Sequence, residues 1–148
     1  MNATRNVRWE LDFRVNLGDT GTRFAAGLRA GTLFGTRCDG CSRVAVPAVA
    51  YCERCFEPAT EWVELSGEGI VESFTVVHIA PGGPPRPYVL GVMRLDGTDG
   101  LFVHYVGGIS LGEDGSPPAD FGPGARVRAV WAQDRTGSIT DIAHFQVL

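Results

Sequence analysis

Residues 38–55 read CDGCSRVAVPAVAYCERC and contain every cysteine of the chain, arranged as two Cys-x-x-Cys knuckles with ten residues between them. A two-residue gap lets both thiolates of a knuckle bind one ion, and two knuckles together complete a tetrahedral four-sulfur site. The segment 33–62 is too short to bury a core of its own, so bound metal must supply its folding free energy. We predict one structural Zn²⁺ per chain, held by Cys38, Cys41, Cys52 and Cys55.

Two alternatives compete with zinc at these cysteines. A pair of disulfides would need an oxidising compartment, and the first five residues, MNATR, hold no apolar stretch that resembles a signal peptide. Iron also accepts four thiolates in a tetrahedron, but the spacing is more typical of zinc. We therefore expect zinc and a cytoplasmic location.

The composition narrows the possible functions. The chain has 148 residues, 44% hydrophobic and 20% charged, which is typical of a soluble globular protein with one ordinary domain or two small ones. All 13 basic residues are arginine, so lysine chemistry such as Schiff-base formation is excluded. Residues 67–148 carry five arginines against nine acidic residues, which makes the C-terminal half acidic.

The N-terminal segment alternates apolar and polar side chains from Trp9 to Leu17. Period two predicts an extended strand with one large apolar face. That face consists of Trp9, Leu11, Phe13, Val15 and Leu17. Packing on this chain's own C-terminal domain and docking on another subunit both remain open, because apolar patches of this size serve either purpose.

A short helix is predicted to follow the glycine-rich break at 18–21. Thr22 can cap a helix over Arg23–Ala30 that ends at Gly31 in a left-handed conformation. Phe24 and Leu28 share one face of this helix and must pack on something, since so short a helix is marginal alone.

From Trp62 onward the chain reads as short strands with glycine-rich corners. The five main strands are predicted at Gly69–His78, Tyr88–Leu95, Leu101–Val106, Ala125–Gln133 and Ile139–Val147, with a lead-in at Trp62–Leu65 and a further short strand at Ile109–Leu111. Five strands in this space suit a small, partly open barrel. The predicted fold is thus mostly β, with an N-terminal strand and helix (1–33), a ribbon (34–62) and a barrel (63–148).

Several stretches resemble the zinc-ribbon plus OB-fold proteins known as the domain-of-unknown-function thirty-five family. The match extends over nearly the whole chain, and its pieces are Phe24-x-x-x-Leu28-x-x-Gly31, Gly35-Thr36-Arg37-Cys38, Cys52-Glu53-Arg54-Cys55-Phe56, Gly69 to Val77, Leu95-Asp96-Gly97 and Phe102-Val103-His104. The resemblance implies a rubredoxin-like zinc ribbon followed by a five-stranded OB-fold. Zinc ribbons often carry glycine with positive φ after each knuckle. Here Ser42 and Phe56 occupy those places, at a cost of about 1 kcal/mol each.

The resemblance also implies a function. Members of this family are similar to small partner subunits of thiolase-fold enzymes, namely acyl-CoA thiolases, lipid-transfer-protein-type aldolases and some hydratases. Glu61-Trp62-Val63 looks most like the subunit paired with a thiolase in aromatic acyl-CoA degradation. The chain is therefore expected to be a non-catalytic accessory subunit that helps form an acyl-CoA site and stabilises its partner. The N-terminal apolar face, with Phe24 and Leu28, is the predicted partner interface.

The remaining residues agree with a non-catalytic role. The cysteines are committed to metal, no serine lies in a nucleophile-elbow pattern, and His78, His104 and His144 are more typical of strand positions than of a general base. Arg86, in a Pro/Gly loop, is the candidate for CoA phosphates, and Phe74 and Tyr88 are candidates for an apolar wall around the acyl group.

Single-stranded nucleic-acid binding is the rival function, because ribbons and OB-folds both serve it. The barrel half has suitable aromatic residues: Phe74, Tyr88, Phe102, Tyr105 and Trp131. Its surplus of acidic residues argues against a basic groove, on which affinity for phosphate backbones depends.

Overall fold

The computed structural model describes residues 10–12, 14–80 and 83–148. One helix and eight strands follow one another along these residues, with a single 3-10 turn before the last strand. Their bounds are α1 Gly18–Ala30, β1 Leu33–Arg37, β2 Val44–Ala45, β3 Glu61–Leu65, β4 Glu68–Val77, β5 Tyr88–Leu95, β6 Phe102–Gly107, β7 Arg126–Trp131, the 3-10 turn Ile139–Asp141 and β8 Ile142–Val147. No helix in this part of the chain is both long and apolar enough to cross a membrane.

The strands form two sheets. The ribbon sheet has the order β2-β1-β3, and the five remaining strands form a closed barrel in the order β4-β5-β6-β8-β7. The OB-fold barrel is therefore confirmed, although it is closed rather than partly open. Its strands pair antiparallel except for β6 and β8, which run parallel.

The barrel core follows from alternation along the strands. In β5 and β6 every second residue is buried, so Val89, Met93 and Leu95 face inward from β5 while Phe102 and Val106 do so from β6. Phe145 and Ile142 of β8 complete the interior. Burying side chains of this size stabilises the fold by roughly 1.5–3 kcal/mol each before ordering costs.

The predicted N-terminal strand is not present in the described part of the segment. Trp9 and Phe13 lie outside the described residues, and residues 10–12 and 14–17 form no strand. Alternation alone does not make a strand, because the backbone groups also need a partner strand. The side chain of Leu11 is 76% exposed, and those of Val15 and Leu17 are also exposed.

The helix begins earlier than predicted. Gly18 is already part of α1, so the stretch interpreted as a break is its first turn. The Asn16 side chain accepts the Gly18 N–H at 2.9 Å, and Asp19 in the first turn is favoured by the helix dipole. Thr22 does not cap the helix, because its hydroxyl donates to the Gly18 carbonyl inside it. The end was predicted correctly, since Gly31 has φ 79°.

Two other predictions need revision. Residues 109–111 form no strand, because the chain leaves the barrel at Gly108, where φ is 76°. The predicted strand Ile139–Val147 begins only at Ile142, because Ser138 caps the preceding 3-10 turn. The predicted division after residues 33 and 62 stays a prediction; β1 begins at Leu33, β3 includes Trp62, and the two strands pair along their whole length.

The ribbon is attached to the barrel through the tip of the β5–β6 hairpin. The Asp99 carboxylate accepts the Val44 N–H at 2.9 Å, and the Asp99 N–H donates to the Val44 carbonyl, also at 2.9 Å. Arg43 adds a bond from its guanidinium to the Asp99 carbonyl at 3.1 Å. These bonds place the hairpin tip beside β2, the strand between the two knuckles.

A second attachment joins α1 to the loop before the 3-10 turn. The Arg29 guanidinium donates to the Thr136 carbonyl at 2.7 Å, and Arg135 donates to the Arg29 carbonyl at 3.0 Å. Gly137 lies so close to α1 that a Cβ atom there would be 3.0 Å from the Ala25 carbonyl oxygen. The helix is therefore fixed to the barrel at its C-terminal end.

We expect Asp99→Ala to lower the free energy of unfolding by about 1 kcal/mol, because the Val44 N–H loses its acceptor. Urea titration of the zinc-loaded protein measures this loss. Asp99→Asn keeps an oxygen acceptor at the same place and is the matched control, with a smaller expected effect. Equal losses for the two variants would contradict the role assigned to this bond.

Candidate metal centre

The four cysteine sulfur atoms lie together, as the knuckle spacing predicts. All of them are within 4.8 Å of one another, and the sulfurs of Cys38 and Cys55 are 3.4 Å apart while those of Cys41 and Cys52 are 3.6 Å apart. Sulfur ligands at the usual zinc–sulfur distance would be about 3.8 Å apart on a tetrahedron. A disulfide would require about 2.05 Å, and all four thiols are free. The arrangement therefore fits a four-thiolate zinc site and not two disulfides.

The two knuckles have the same backbone conformation. In the first, the Ser42 N–H donates to the Cys38 carbonyl at 3.0 Å, and in the second the Phe56 N–H donates to the Cys52 carbonyl at the same distance. Backbone amides also point at sulfur, from Cys41 to Cys38 and from Arg54 to Cys52, at 3.4 Å in both cases. Such N–H donors favour the thiolate, which is the form that binds metal.

The protonation of the cysteines supports a cation at their centre. Hydrogen bonds from the backbone amides of Cys55 and Arg54 lower the pKa of the Cys52 thiol to about 6, and the Cys41 amide lowers the pKa of Cys38. Although the Glu57 amide favours the thiolate of Cys55, the neighbouring sulfurs, Cys38 first among them, raise the pKa of Cys55 to about 12. Adding a divalent cation would remove this conflict, since it neutralises the charge that the sulfurs repel in one another.

The residues after the knuckles have the strained conformation predicted for them. Ser42 and Phe56 both have φ of 62°, and they are the two positive-φ residues other than glycine in the described chain. Each lies one residue beyond the second cysteine of its knuckle. Because the knuckle turn needs this conformation to aim two sulfurs at one point, metal binding offsets its cost.

Two polar residues that were not predicted to belong to the site hold the segment between the knuckles. Thr36, which is 1% exposed, donates its hydroxyl to the Val49 carbonyl at 2.8 Å and accepts the Val49 N–H at 2.9 Å. Asp99 binds Val44 as described above. Thr36 could have been associated with the site because it lies two residues before the first cysteine. Asp99 is distant from the cysteines in sequence, so nothing near it indicates a role at the site.

The predicted ligand residues are only partly brought together. Tyr88 lines a cavity of about 350 Å³, and Ile109 and Leu111 line the same cavity. Arg86 is exposed and precedes Pro87, which also lines this cavity. Phe74 does not line it, because its ring packs on Phe121 with the ring centroids 4.8 Å apart.

The predicted interface residues on the helix are not equally available to a partner. Leu28 is 2% exposed and belongs to the chain's own core, and Phe24 is partly buried against that core. The helix face therefore packs within the chain. Leu11, Val15 and Leu17 are the members of the predicted interface that the structure shows at the surface.

Comparisons with known proteins agree with this fold and metal centre. Residues 25–61 match the family model of the rubredoxin-like zinc ribbon domain of ChsH2, and residues 62–132 match the model of the C-terminal OB-fold domain of ChsH2. A curated DUF35 domain-containing scaffold protein of Methanocaldococcus jannaschii is 36% identical over 67 residues, which are 43% of this chain. The match spans 48% of that relative, about half of its length.

Two solved structures share the fold. A protein of unknown function from the DUF35 family of Sulfolobus solfataricus has a TM-score of 0.64 at 23% identity, with 88% of this chain and 87% of that chain covered. A structure described as an Ltp2–ChsH2 (DUF35) aldolase has a TM-score of 0.63 at 22% identity, with 84% of this chain and 92% of that chain covered. At these identities the likeness establishes the fold alone. With the ribbon model, it supports a structural zinc held by the four cysteines.

We expect Cys38→Ser to release zinc and unfold the ribbon, because three thiolates no longer close the site. Elemental analysis should find about one zinc per wild-type chain and a large loss in the variant. Ser42→Ala, four residues away, should retain the metal. Zinc-free wild-type protein with two disulfides in its mass spectrum would contradict this assignment.

Phe56→Gly is expected to raise the free energy of unfolding by about 1 kcal/mol, because glycine adopts positive φ without steric cost. The ring is 79% exposed, so its removal forfeits little burial. Phe56→Ala removes the ring but keeps the strain, and it should not stabilise the protein. Thermal unfolding of both zinc-loaded variants distinguishes relief of backbone strain from loss of the ring.

Proposed function

This chain belongs to the DUF35 family of zinc-ribbon and OB-fold proteins, and we propose that it is a non-catalytic accessory subunit of a thiolase-fold enzyme acting on acyl-CoA. The observation that carries the proposal is the shared fold with the DUF35 component of the Ltp2–ChsH2 aldolase. The reaction in which the complex takes part is thiolysis or retro-aldol cleavage of an acyl-CoA carbon–carbon bond.

The chemistry of the chain supports catalysis by the partner. A zinc ion bound by four sulfurs keeps no open position for water or substrate, so it stabilises the fold instead of acting as a Lewis acid. Its ligands are the chain's four cysteines, which leaves none to accept an acyl group. His104 is buried in the barrel, and His144 lies 3.3 Å from the Gln146 side-chain oxygen. We therefore assign the reacting groups to the partner chain.

The acyl-CoA group is proposed to bind near the cavity beside Tyr88. Tyr88, Val106, Ile109 and Leu111 line this cavity, and their apolar side-chain atoms can contact an acyl chain. Arg86 stands exposed in the adjoining loop and can bind a phosphate of CoA. Phe74 does not line this cavity, and its ring packs on Phe121 instead, so we do not assign it a contact with the acyl group.

The N-terminal segment is the proposed contact with the partner subunit. Leu11, Val15 and Leu17 expose apolar surface that nothing in the described chain covers, and Trp9 and Phe13 continue the pattern in sequence. Burying such side chains in a partner would be worth roughly 1.5–3 kcal/mol each before ordering costs. The thiolate site is compatible with the reducing cytoplasm, where we place the complex.

The barrel surface argues against nucleic-acid binding. Arg126 pairs with Glu68 at 3.0 Å and with Asp96 at 2.8 Å, while Arg128 pairs with Glu68 at 2.7 Å. Arg94 is likewise paired with a carboxylate, that of Glu72. Arginines neutralised in this way do not form the basic groove that a phosphate backbone requires.

Removal of residues 1–15, which keeps the Asn16 acceptor of the Gly18 N–H, should abolish recovery of the thiolase-fold partner and leave the melting temperature of the isolated subunit unchanged. Leu11→Asp should act in the same direction, because an unpaired carboxylate is costly in an apolar contact. Asp12→Ser, at a polar position of the same segment, is the matched control. The partner is first identified by mass spectrometry of the complex purified from the native organism, and the variants are then co-expressed with it.

The two readouts separate the possible outcomes. A lower melting temperature with an intact complex would mean that the segment packs on its own chain and that the interface lies elsewhere. Failure of the native complex to contain any thiolase-fold chain would overturn the proposed function itself.

A further inference from the structure

The barrel closes through a short seam between β6 and β8. These strands are joined by two residue pairs, Val106 with Phe145 and Gly107 with Gln146, fewer than join any other neighbouring strands of the barrel. The 3-10 turn directly precedes β8, so it lies next to the part of β6 that does not pair with β8. Contacts between β6 and this turn therefore matter for closing the barrel.

His104 makes such a contact. The residue is 5% exposed, and its Nε2 atom lies 3.2 Å from the Ile139 carbonyl oxygen in the turn. Because a carbonyl can only accept, Nε2 carries the hydrogen and donates it. The other ring nitrogen, Nδ1, is buried and has no hydrogen-bond partner among the described residues.

The surroundings of His104 favour the neutral ring. The ring lies parallel to that of Phe102, 6.0 Å between centroids, and meets Phe145 and Tyr105 edge-on. Protonation would place a charge among these rings and a hydrogen on Nδ1 with no acceptor.

Neighbouring titratable groups do not compensate for that charge. On β8, a positive charge on His144 would repel a positive charge on His104. From the turn, the Asp141 carboxylate is occupied by the backbone amides of Thr136 and Gly137 at 2.7–3.1 Å. Burial lowers the pKa of His104 below its ordinary value, although the backbones of Ile139 and Tyr105 act in the opposite direction.

The segment that leads into the 3-10 turn also contacts helix α1. Asp141 fixes Thr136 and Gly137, and these residues contact α1 through the Thr136 carbonyl bound by Arg29 and through the close approach of Gly137 to Ala25. Displacing the turn therefore loosens the C-terminal part of α1, the helix that follows the exposed N-terminal segment.

We propose that His104 is an acid-sensitive latch: the charged imidazolium is stable only where solvent reaches it, so acid favours a state in which the 3-10 turn and the end of α1 are released while the ribbon and the rest of the barrel stay folded. The released state exposes the histidine, which then titrates near 6.5, as in an unstructured chain. The closed state is fully favoured above that pH. Below it, each pH unit raises the open population about tenfold until the buried ring titrates as well. The latch does not depend on the proposed function, but it would change how residues 11–17 are presented to a partner.

Amide hydrogen exchange of the full-length, zinc-loaded protein between pH 7.5 and 5.0 tests the latch, with rates corrected for intrinsic pH dependence. Residues 23–30 and 136–142 should lose protection about tenfold per pH unit below about 6.5. Residues 33–37 and 61–65 of the ribbon should not. His104→Phe should abolish this pH dependence, since the ring can no longer take a proton, whereas His144→Gln should retain it.

Several results would overturn the latch. One is the same acid response in His104→Phe, and another is a uniform loss of protection over the whole barrel. A loss that begins in the ribbon would locate the acid sensitivity at the thiolates. Should His104→Phe fail to fold, an NMR titration of the wild-type imidazoles decides: a normal midpoint for His104 with unchanged exchange contradicts the latch, and a depressed midpoint with local exchange supports it.

Discussion

Sulfur atoms that approach to within 4.8 Å of one another cannot all be deprotonated unless a cation lies between them. The ribbon depends on this constraint, because its strand β2 is only two residues long and its other two strands cannot bury a core. The hairpin tip of the barrel binds that same short strand through Asp99. Metal binding at the knuckles therefore stabilises contacts well beyond the ribbon.

Several acidic side chains of the C-terminal half form ion pairs with arginines on the outer surface of the barrel. Glu68 accepts from two arginines, and hydrogen bonds from Arg128 keep the pKa of Glu68 below its ordinary value. Exposed pairs of this kind contribute little to stability, so they mainly fix which arginines are free to meet a ligand. Arg126 and Arg128 on β7 are paired with Glu68, whereas Arg86 is exposed in its loop.

The metal centre and most of the barrel could be predicted from sequence because their signals are local. Knuckle spacing predicted the four ligands, the glycine-rich corners on either side bounded β5 at Tyr88 and Leu95 without error, and the absence of glycine at Ser42 and Phe56 pointed to strained turns. The predictions that failed needed information from distant residues. The segment up to Leu17 alternates like a strand but has no described partner strand, and Leu28 belongs to a core that includes strands far along the chain.

The position of strand β3 limits where the ribbon and barrel of two such proteins could be exchanged. Family models divide the chain between residues 61 and 62, yet the strand Glu61–Leu65 pairs entirely with β1 of the ribbon. A gene exchange at that boundary would give the ribbon a third strand from a foreign parent. A boundary at Ser66 would keep all three ribbon strands together. A ribbon moved to another barrel would still need a carboxylate at the hairpin tip to accept the Val44 N–H. The two modules are thus constrained to evolve as a pair.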